Sequence, residues 1–286
     1  MVIYAAGFTI IKKVTPGHIL PAGFVALRLL GATPLLWLSG LFIREKVDRK
    51  DIKYFAMLSI CGVIINQSLF VKGMSMTSAI SAAIIMVTSP LLVLILSNIL
   101  LKEKITWQRA CGIVIGLGGA AMLIIYSPHQ NAKAESPLGD FLIFLNALSW
   151  GTFLVLVKPM MKKYHTITIL KWVFLFAIFV IVPLGFNDVR AIDTSKFEPD
   201  TIFNILFVVV GVTFIAYIMN TYALKVLSPA IVSAYIYLQP LMAAGIALYF
   251  GTDHLNWEKV MSAFLIFTGV ILASQNKKQP AETVDE

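Results

Sequence analysis

The sequence predicts an all-α integral membrane protein whose ten transmembrane helices form two inverted-topology repeats of five helices each. Composition is the first observation behind this prediction: 58% of the 286 residues are hydrophobic, 13% are charged and the mean hydropathy is +0.84. A soluble domain carries about 25% charged residues. The charges here are too few to cover a water-facing surface, so the apolar surface must face lipid.

The second observation is the number of apolar stretches. A helix needs about 20 apolar residues to cross a bilayer, and the chain holds ten stretches that approach or reach this length. We place them at 1–12, 19–43, 54–72, 78–101, 105–126, 139–157, 167–186, 201–221, 228–251 and 258–274. The first is short, because 11 residues of helix rise about 16 Å against a hydrocarbon core of about 30 Å. We therefore expect a first helix that is short or truncated at its N-terminus.

The distribution of basic residues predicts the orientation. With both termini in the cytoplasm, the inside connections and the tail hold fourteen Lys and Arg, and the outside connections hold seven. Cytoplasmic loops are enriched in Lys and Arg, so we predict that both termini are cytoplasmic. The net charge of +8 then sets topology, and it does not indicate a nucleic-acid partner.

The third observation is an internal repeat with an offset of 150 residues. Pro90, Glu103, Trp107, Arg109 and Gly119 align with counterparts in the second half, namely Pro240, Asp253, Trp257, Lys259 and Gly269. Each half has five spans, an odd number, so the second half enters the membrane upside down. Inverted repeats allow a central site to open to one side and then to the other. Gly112, Gly116, Gly118 and Gly119 predict close packing of two helices.

Pro90 and Pro240 fall in the middle of predicted spans. A proline there removes one backbone hydrogen bond and kinks the helix. Such a kink either packs against neighbours or lines a polar pocket, and both readings stay open.

Polar side chains at membrane depth are the candidates for a binding site, because each needs a partner or a water-filled cavity. Hydrogen bonding between helices is the alternative role for any one of them. Amides and aromatic rings together suit a zwitterion or an amphipathic metabolite. The candidate set is Arg28, Asn66, Gln67, Pro90, Trp150, Tyr217, Asn220, Tyr237, Gln239 and Pro240.

Arg28 is the one charge well inside a predicted span. It would serve as counter-ion for a substrate carboxylate, extend to the interface, or bind backbone carbonyls at a helix end. The fifteen Asp and Glu all fall in loops, at span edges or in the tail. Coupling to Glu103 or Asp140, exchange with another solute, and no coupling all stay open.

The pattern of a proline, an acidic residue, a tryptophan and a glycine that ends each half, and above all LLKEKITWQRACGIVIGLGGAAMLI at 100–124, resembles the EamA family of the drug/metabolite transporter superfamily. The resemblance covers nearly the whole chain. It implies a central cavity lined by both halves that carries amino acids, amines or other metabolites, commonly outward.

We therefore expect a secondary transporter of the cell membrane, with a small molecule and the lipid bilayer as partners. An integral-membrane enzyme acting on lipid is the alternative, and a receptor or channel is a third reading. We predict no cofactor, metal or catalytic residue, and leave monomer and homodimer open. The predicted units are a first repeat, a linker, a second repeat and a tail, at 1–126, 127–138, 139–274 and 275–286.

Overall fold

The computed structural model describes residues 2–15, 19–43, 45–101, 106–126, 136–193, 197–226, 242, 246, 248–251 and 255–274. Every regular element in these ranges is a helix. Five helices in the described part of the chain are long and apolar enough to cross a membrane, and shorter apolar helices accompany them. The five are Pro21–Gly40, Arg49–Met74, Pro137–Lys163, Thr166–Arg190 and Pro199–Ala223.

The first half of the chain forms six of the described helices. They are α1 (Val2–Val14), α2 (Pro21–Gly40), α3 (Arg49–Met74), α4 (Ala79–Met86), α5 (Ser89–Leu101) and α6 (Trp107–Tyr126). The second half contributes α7 (Pro137–Lys163), α8 (Thr166–Arg190), α9 (199–226) and α10 (Trp257–Ser274). The ninth predicted span, 228–251, lies outside the described residues except at 242, 246 and 248–251. The predicted linker, except 136–138, and the predicted tail lie outside them too.

Local sequence explains where several helices begin. Pro21, Pro137 and Pro199 occupy the first positions of α2, α7 and α9, where a missing N–H costs nothing. The hydroxyls of Ser78 and Ser136 accept hydrogen bonds from backbone N–H groups of α4 and α7.

The fourth predicted span, 78–101, contains two helices separated by a short turn. α4 ends at Met86, Val87 and Thr88 form the turn, and α5 begins at Ser89. Pro90 lies in the first turn of α5, and because it has no N–H, it cannot make the helical hydrogen bond to the carbonyl of Met86. The interruption that the sequence predicts at Pro90 is therefore present, as a turn between two helices.

Two of the long helices contain π-helical segments. Residues Ile60–Ile65 of α3 are π-helical, as are residues Phe207–Ile215 of α9. Such segments widen one turn of a helix and displace backbone carbonyls from the ordinary α-helical pattern. Asn66 and Tyr217 follow these segments closely.

Two helix pairs carry the most extensive contacts between the halves: α2 lies along α8, and α6 lies along α10. The second pair packs through glycine, because a Cβ atom added to Gly269 would collide with the backbone of Gly112 and Gly116. A Cβ atom added to Gly119 would meet Leu265 at 2.8 Å. The predicted close packing is confirmed for Gly112, Gly116 and Gly119, and it is wrong for Gly118, where an added Cβ atom would meet nothing within 4 Å.

The remaining contacts place the π-helical segments in the centre of the bundle. α1 packs against the π-helical segment of α9, and the π-helical segment of α3 packs against α7 and α8. The outward faces of α8 and α9 expose large apolar side chains, among them Phe179, Leu184, Phe203 and Met219. These faces suit contact with lipid chains.

Candidate functional site

A cavity lies among α1, α2, α3, α7 and α9, with the α4–α5 turn beside it. Its empty space, counted to the open mouth, is about 760 Å³. The described residues that line it are Tyr4, Gly7, Phe8, Ile11, Arg28, Asn66, Gln67, Phe70, Met86, Ser89, Asn146, Trp150, Val212, Tyr217 and Asn220.

Arg28 reaches the cavity from α2. Its side chain is 3% exposed, and its Nε donates to Thr213 Oγ1 at 2.9 Å. Thr213 lies in the π-helical segment of α9, and its hydroxyl donates to the Val208 carbonyl at 2.8 Å. The Nη1 atom of Arg28 is buried without a hydrogen-bond partner. The side chain is therefore held inside the bundle and does not extend to the interface.

Two asparagines join α3 to α7 at the cavity wall. Asn146 Nδ2 donates to the Asn66 carbonyl at 2.8 Å, and Asn66 Nδ2 lies 3.4 Å from the Asn146 carbonyl. Because each side chain bonds the backbone of the other helix, the pair fixes the register of the two helices. The Asn146 Oδ1 atom is left buried without a partner.

Gln67 and Tyr217 meet across the cavity wall. Gln67 Nε2 donates to the Tyr217 hydroxyl at 3.5 Å, and Gln67 Oε1 is buried without a partner. The Tyr217 hydroxyl lies 3.2 Å from Asn66 Oδ1 and 3.3 Å from the Gly62 carbonyl, and it has one hydrogen to donate to either. Gly62 is in the π-helical segment of α3, where a displaced carbonyl can accept this bond.

Aromatic rings form the apolar part of the same wall. Trp150 stacks on Phe153 with ring centroids 5.2 Å apart and meets Tyr217 edge-on at 5.6 Å. Phe174 meets the other side of Tyr217 at 5.3 Å. These contacts pack Trp150 and Tyr217 against each other and against Phe153 and Phe174.

The structure brings six of the ten predicted site residues together around the cavity: Arg28, Asn66, Gln67, Trp150, Tyr217 and Asn220. Pro90 lies in the first turn of α5 and is not among the lining residues, although Ser89 beside it is. Tyr237, Gln239 and Pro240 lie outside the described residues.

Sequence reasoning left out Tyr4 and Thr213. Tyr4 aligns with Trp150 at an offset of 146 residues, because small loop insertions change the offset of the repeat along the chain. Both residues line the cavity, so the repeat was a usable signal for Tyr4. Thr213 gave no signal, because a lone threonine in an apolar span commonly bonds its own helix. Its contact with Arg28 depends on how α2 and α9 pack.

Polar contacts join the two halves beyond one end of the cavity. The Thr77 hydroxyl donates to Asp140 Oδ1, Lys12 Nζ donates to the Thr77 carbonyl at 2.7 Å, and the Ser136 N–H donates to the Met76 carbonyl at 2.8 Å. The sequence placed Asp140 at a span edge, yet its side chain is only 1% exposed. A carboxylate in the first turn of α7 also meets the positive end of the helix dipole.

A second polar cluster joins the halves at the opposite ends of α3 and α7. Lys163 Nζ lies 2.5 Å from Asp48 Oδ2 and 2.5 Å from Asp51 Oδ2. The Tyr164 hydroxyl donates to Asp51 at 2.6 Å, and burial together with this bond raises the pKa of Tyr164. Glu45 accepts from the His165 N–H at 2.9 Å.

Metal chemistry has no evident place in the described part of the chain, where no three His, Cys, Asp or Glu side chains group together. Cys61 and Cys111 are both free thiols.

Comparison with known proteins adds family information to this geometry. Two stretches of the chain, 1–125 and 137–275, match the model of one family, described as the EamA-like transporter family. An uncharacterized transporter from Archaeoglobus fulgidus is 23% identical over 284 residues, which cover 98% of this chain and 96% of that protein.

Two further comparisons agree with this match. The uncharacterized transporter YyaM from Bacillus subtilis is 24% identical over 268 residues, which cover 92% of this chain and 88% of that protein. A solved crystal structure superposes with a TM-score of 0.64 at 14% identity, over 95% of this chain and 94% of that one. At this identity the superposition shows a shared fold and nothing about function.

Proposed function

The chain belongs to the EamA-like transporter family, and from this premise we propose that it is a secondary transporter that exports a small metabolite by alternating access. The metabolite class is an amino acid, an amine or a related solute. The transporter works in the cell membrane, as a multi-pass protein with both termini in the cytoplasm.

The observation that carries this proposal is the cavity. Its lining includes neutral amides, aromatic rings and one guanidinium. The guanidinium, the amides, Trp150 and Tyr217 come from helices long and apolar enough to cross a membrane. Buried polar groups at membrane depth are costly unless they bind each other or a solute. Three of them, Arg28 Nη1, Gln67 Oε1 and Asn146 Oδ1, have no hydrogen-bond partner among the described residues. A polar solute would supply one.

The inverted repeat is the proposed basis of alternating access. Two stretches of the chain match the same family model, and residues 150 positions apart meet at the cavity, as Gln67 and Tyr217 do. The pair α6 and α10, which the repeat relates, also pack on each other through glycine. These observations support ten helices in two halves, the second inverted, with the substrate between them.

The polar contacts at the two ends fit this mechanism. Thr77 with Asp140 at one end and Asp48 with Lys163 at the other both connect the first half to the second. If the cavity opened first to one side of the membrane and then to the other, the polar contacts would break at only one end at a time. The Lys163 cluster lies on the side that the basic loops assign to the cytoplasm.

The proposed substrate-binding set has ten residues. Six of them line the cavity: Arg28, Asn66, Gln67, Trp150, Tyr217 and Asn220. The other four are proposed from the sequence: Pro90, Tyr237, Gln239 and Pro240. The direction of transport is proposed from the family likeness. The proposed partners are the small-molecule substrate and the bilayer, with the oligomeric state left open.

Reconstituted proteoliposomes test the transport proposal. We expect saturable flux of at least one solute from a panel of amino acids, amines and related metabolites, and faster flux when the same solute is present on the other side. Such exchange is what a carrier with alternating access produces. Proteoliposomes that hold folded protein yet show no saturable flux for any class would contradict transport, whereas flux without saturation would indicate a channel.

A separate measurement tests orientation and direction. Fluorescent fusions at each terminus should report both termini on the cytoplasmic side. Cells that express the protein should release a preloaded substrate faster than control cells. Accumulation in place of release would contradict the export direction and leave transport itself intact.

A further inference from the structure

Among the described residues, the cavity wall carries a positive charge and no negative charge. Arg28 is the one charged side chain among the described lining residues, and every other polar group on that wall is neutral. The sequence contains no Asp or Glu at 1–44, 52–102, 141–187 or 201–252. No Asp or Glu is among the described residues that line the cavity with Arg28.

A buried guanidinium without a carboxylate is costly, because it has lost its hydration and gained no counter-charge. Arg28 is 3% exposed, and only its Nε has a neutral partner, Thr213. Its Nη1 is buried and free of hydrogen bonds. The planar fork of an arginine matches the two oxygens of a carboxylate. An anion bound in the cavity would supply the missing counter-charge and lower this cost.

Two neutral acceptors complete the arrangement. Asn146 donates its Nδ2 to the Asn66 carbonyl, which can only accept, so the free atom of Asn146 is its oxygen. Gln67 donates its Nε2 to Tyr217, so its free atom is also the oxygen. Both side chains are at most 2% exposed. Unpaired buried acceptors require N–H or O–H donors.

We propose that the cavity selects solutes that carry a carboxylate, held by Arg28 Nη1, together with an N–H group, held by Gln67 Oε1 and Asn146 Oδ1. This inference rests on the proposed transport function and narrows its substrate class. Amino-acid-like zwitterions satisfy all three free atoms. Amines without an acid group meet the positive charge of Arg28 and are excluded.

Thermal unfolding of the purified full-length protein tests the inference with matched probes. A ligand of the folded state raises the melting temperature. We would compare leucine, phenylalanine and tryptophan with their primary amides, with the corresponding decarboxylated amines and with the corresponding 2-keto acids. At least one amino acid should stabilise the protein, and its amide and its amine should bind about tenfold more weakly or not at all.

Variants assign the effect to residues. Arg28→Met should abolish stabilisation by the amino acid, while the ligand-free variant melts no lower than the unaltered protein because an unpaired charge has been removed. Arg28→Lys keeps the charge without the fork and should retain part of the affinity. Gln67→Leu should weaken the amino acid and leave the binding of the 2-keto acid unchanged, since only the N–H contact is lost.

The outcomes separate this inference from the transport proposal. Equal stabilisation by acid, amide and amine would overturn the carboxylate requirement, and so would full stabilisation of Arg28→Met by the acid. No stabilisation by any of the acids would also overturn it. In each of these cases the transport proposal is tested separately, by the flux measurement with the wider panel, which includes amines and neutral solutes.

Discussion

Gln67 and Tyr217, which are 150 residues apart, share a hydrogen bond of 3.5 Å at the wall of the cavity. The separation equals the predicted offset of the internal repeat, and the bond joins α3 to α9. These helices belong to the two stretches of the chain that match the family model. The cavity is therefore lined by helices of both stretches.

Tyr217→Phe tests the hydroxyl in this bond. The ring keeps its contacts with Trp150 and Phe174, but the bonds to Gln67, Asn66 and Gly62 are lost. We expect a loss of about 0.5–1.5 kcal/mol in stability and weaker substrate binding. Thermal unfolding and the concentration dependence of flux measure the two effects. Tyr222→Phe, at a side chain 52% exposed, is the control and should change neither.

Gly269→Ala tests the packing of α6 on α10. The added methyl group would collide with the backbone of Gly112 and Gly116. A side chain could relieve such a collision by changing its rotamer, but backbone atoms cannot. We therefore expect destabilisation of about 1–3 kcal/mol. Thermal unfolding of the purified protein measures it. Gly118→Ala is the matched control on the same pair, because a Cβ atom there meets nothing within 4 Å. Equal melting temperatures for the two variants would contradict the close glycine contact.

Lys163→Gln tests the polar cluster at the start of α3. Lys163 is 45% exposed and bonds both Asp48 and Asp51, so its loss should change stability little, because solvent screens exposed ion pairs. We expect instead that this end opens more often. The measurement is the labelling rate, by an impermeant maleimide, of Asn220→Cys in a background with Cys61 and Cys111 replaced by alanine.

Lys162→Gln is the control for that measurement, since Lys162 is the exposed neighbour on the same helix. Labelling should rise for Lys163→Gln alone, and the difference should shrink at high salt as the ion pairs of the unaltered chain are screened. The same labelling rate in both variants would show that the cluster does not hold this end closed.

Thr77→Val tests the buried contact at the opposite end. Asp140 is 1% exposed and would lose the hydroxyl donor of Thr77. Removing one donor from a buried carboxylate should destabilise the protein by about 1–3 kcal/mol. Thr152→Val is the control, because the Thr152 hydroxyl bonds only a carbonyl of its own helix, Leu148 at 2.9 Å. If Thr77→Val and Thr152→Val have the same melting temperature, the hydrogen bond from Thr77 does not specifically stabilise Asp140.

The sequence predicted what depends on hydropathy and on the repeat. Apolar length located helices such as α7 and α8, and polar residues inside apolar runs identified Asn66, Gln67 and Tyr217 as site residues. These features are local, since burying a polar group in lipid is costly wherever the helix packs. The glycines that join α6 and α10 were predictable from their spacing, because small residues on one helix face let two helices approach closely.

Other features depend on packing and could not be predicted. The bond from Arg28 to Thr213 joins residues 185 positions apart. The π-helical segments at Ile60–Ile65 and Phe207–Ile215 contain no proline, so their sequences do not predict the wider helical turn.

Those two π-helical segments affect how the chain should be compared with its relatives. A π-helical turn holds a residue that an ordinary α-helical turn does not. In a relative with ordinary α-helical turns at these places, each helix would contain one residue fewer before the counterpart of Asn66 or of Tyr217. Alignments at 23 or 24% identity that place no gap inside an apolar helix would then pair cavity residues with lipid-facing ones. Correspondence at the cavity is therefore best assigned by superposing backbones, with a one-residue gap allowed inside α3 and α9.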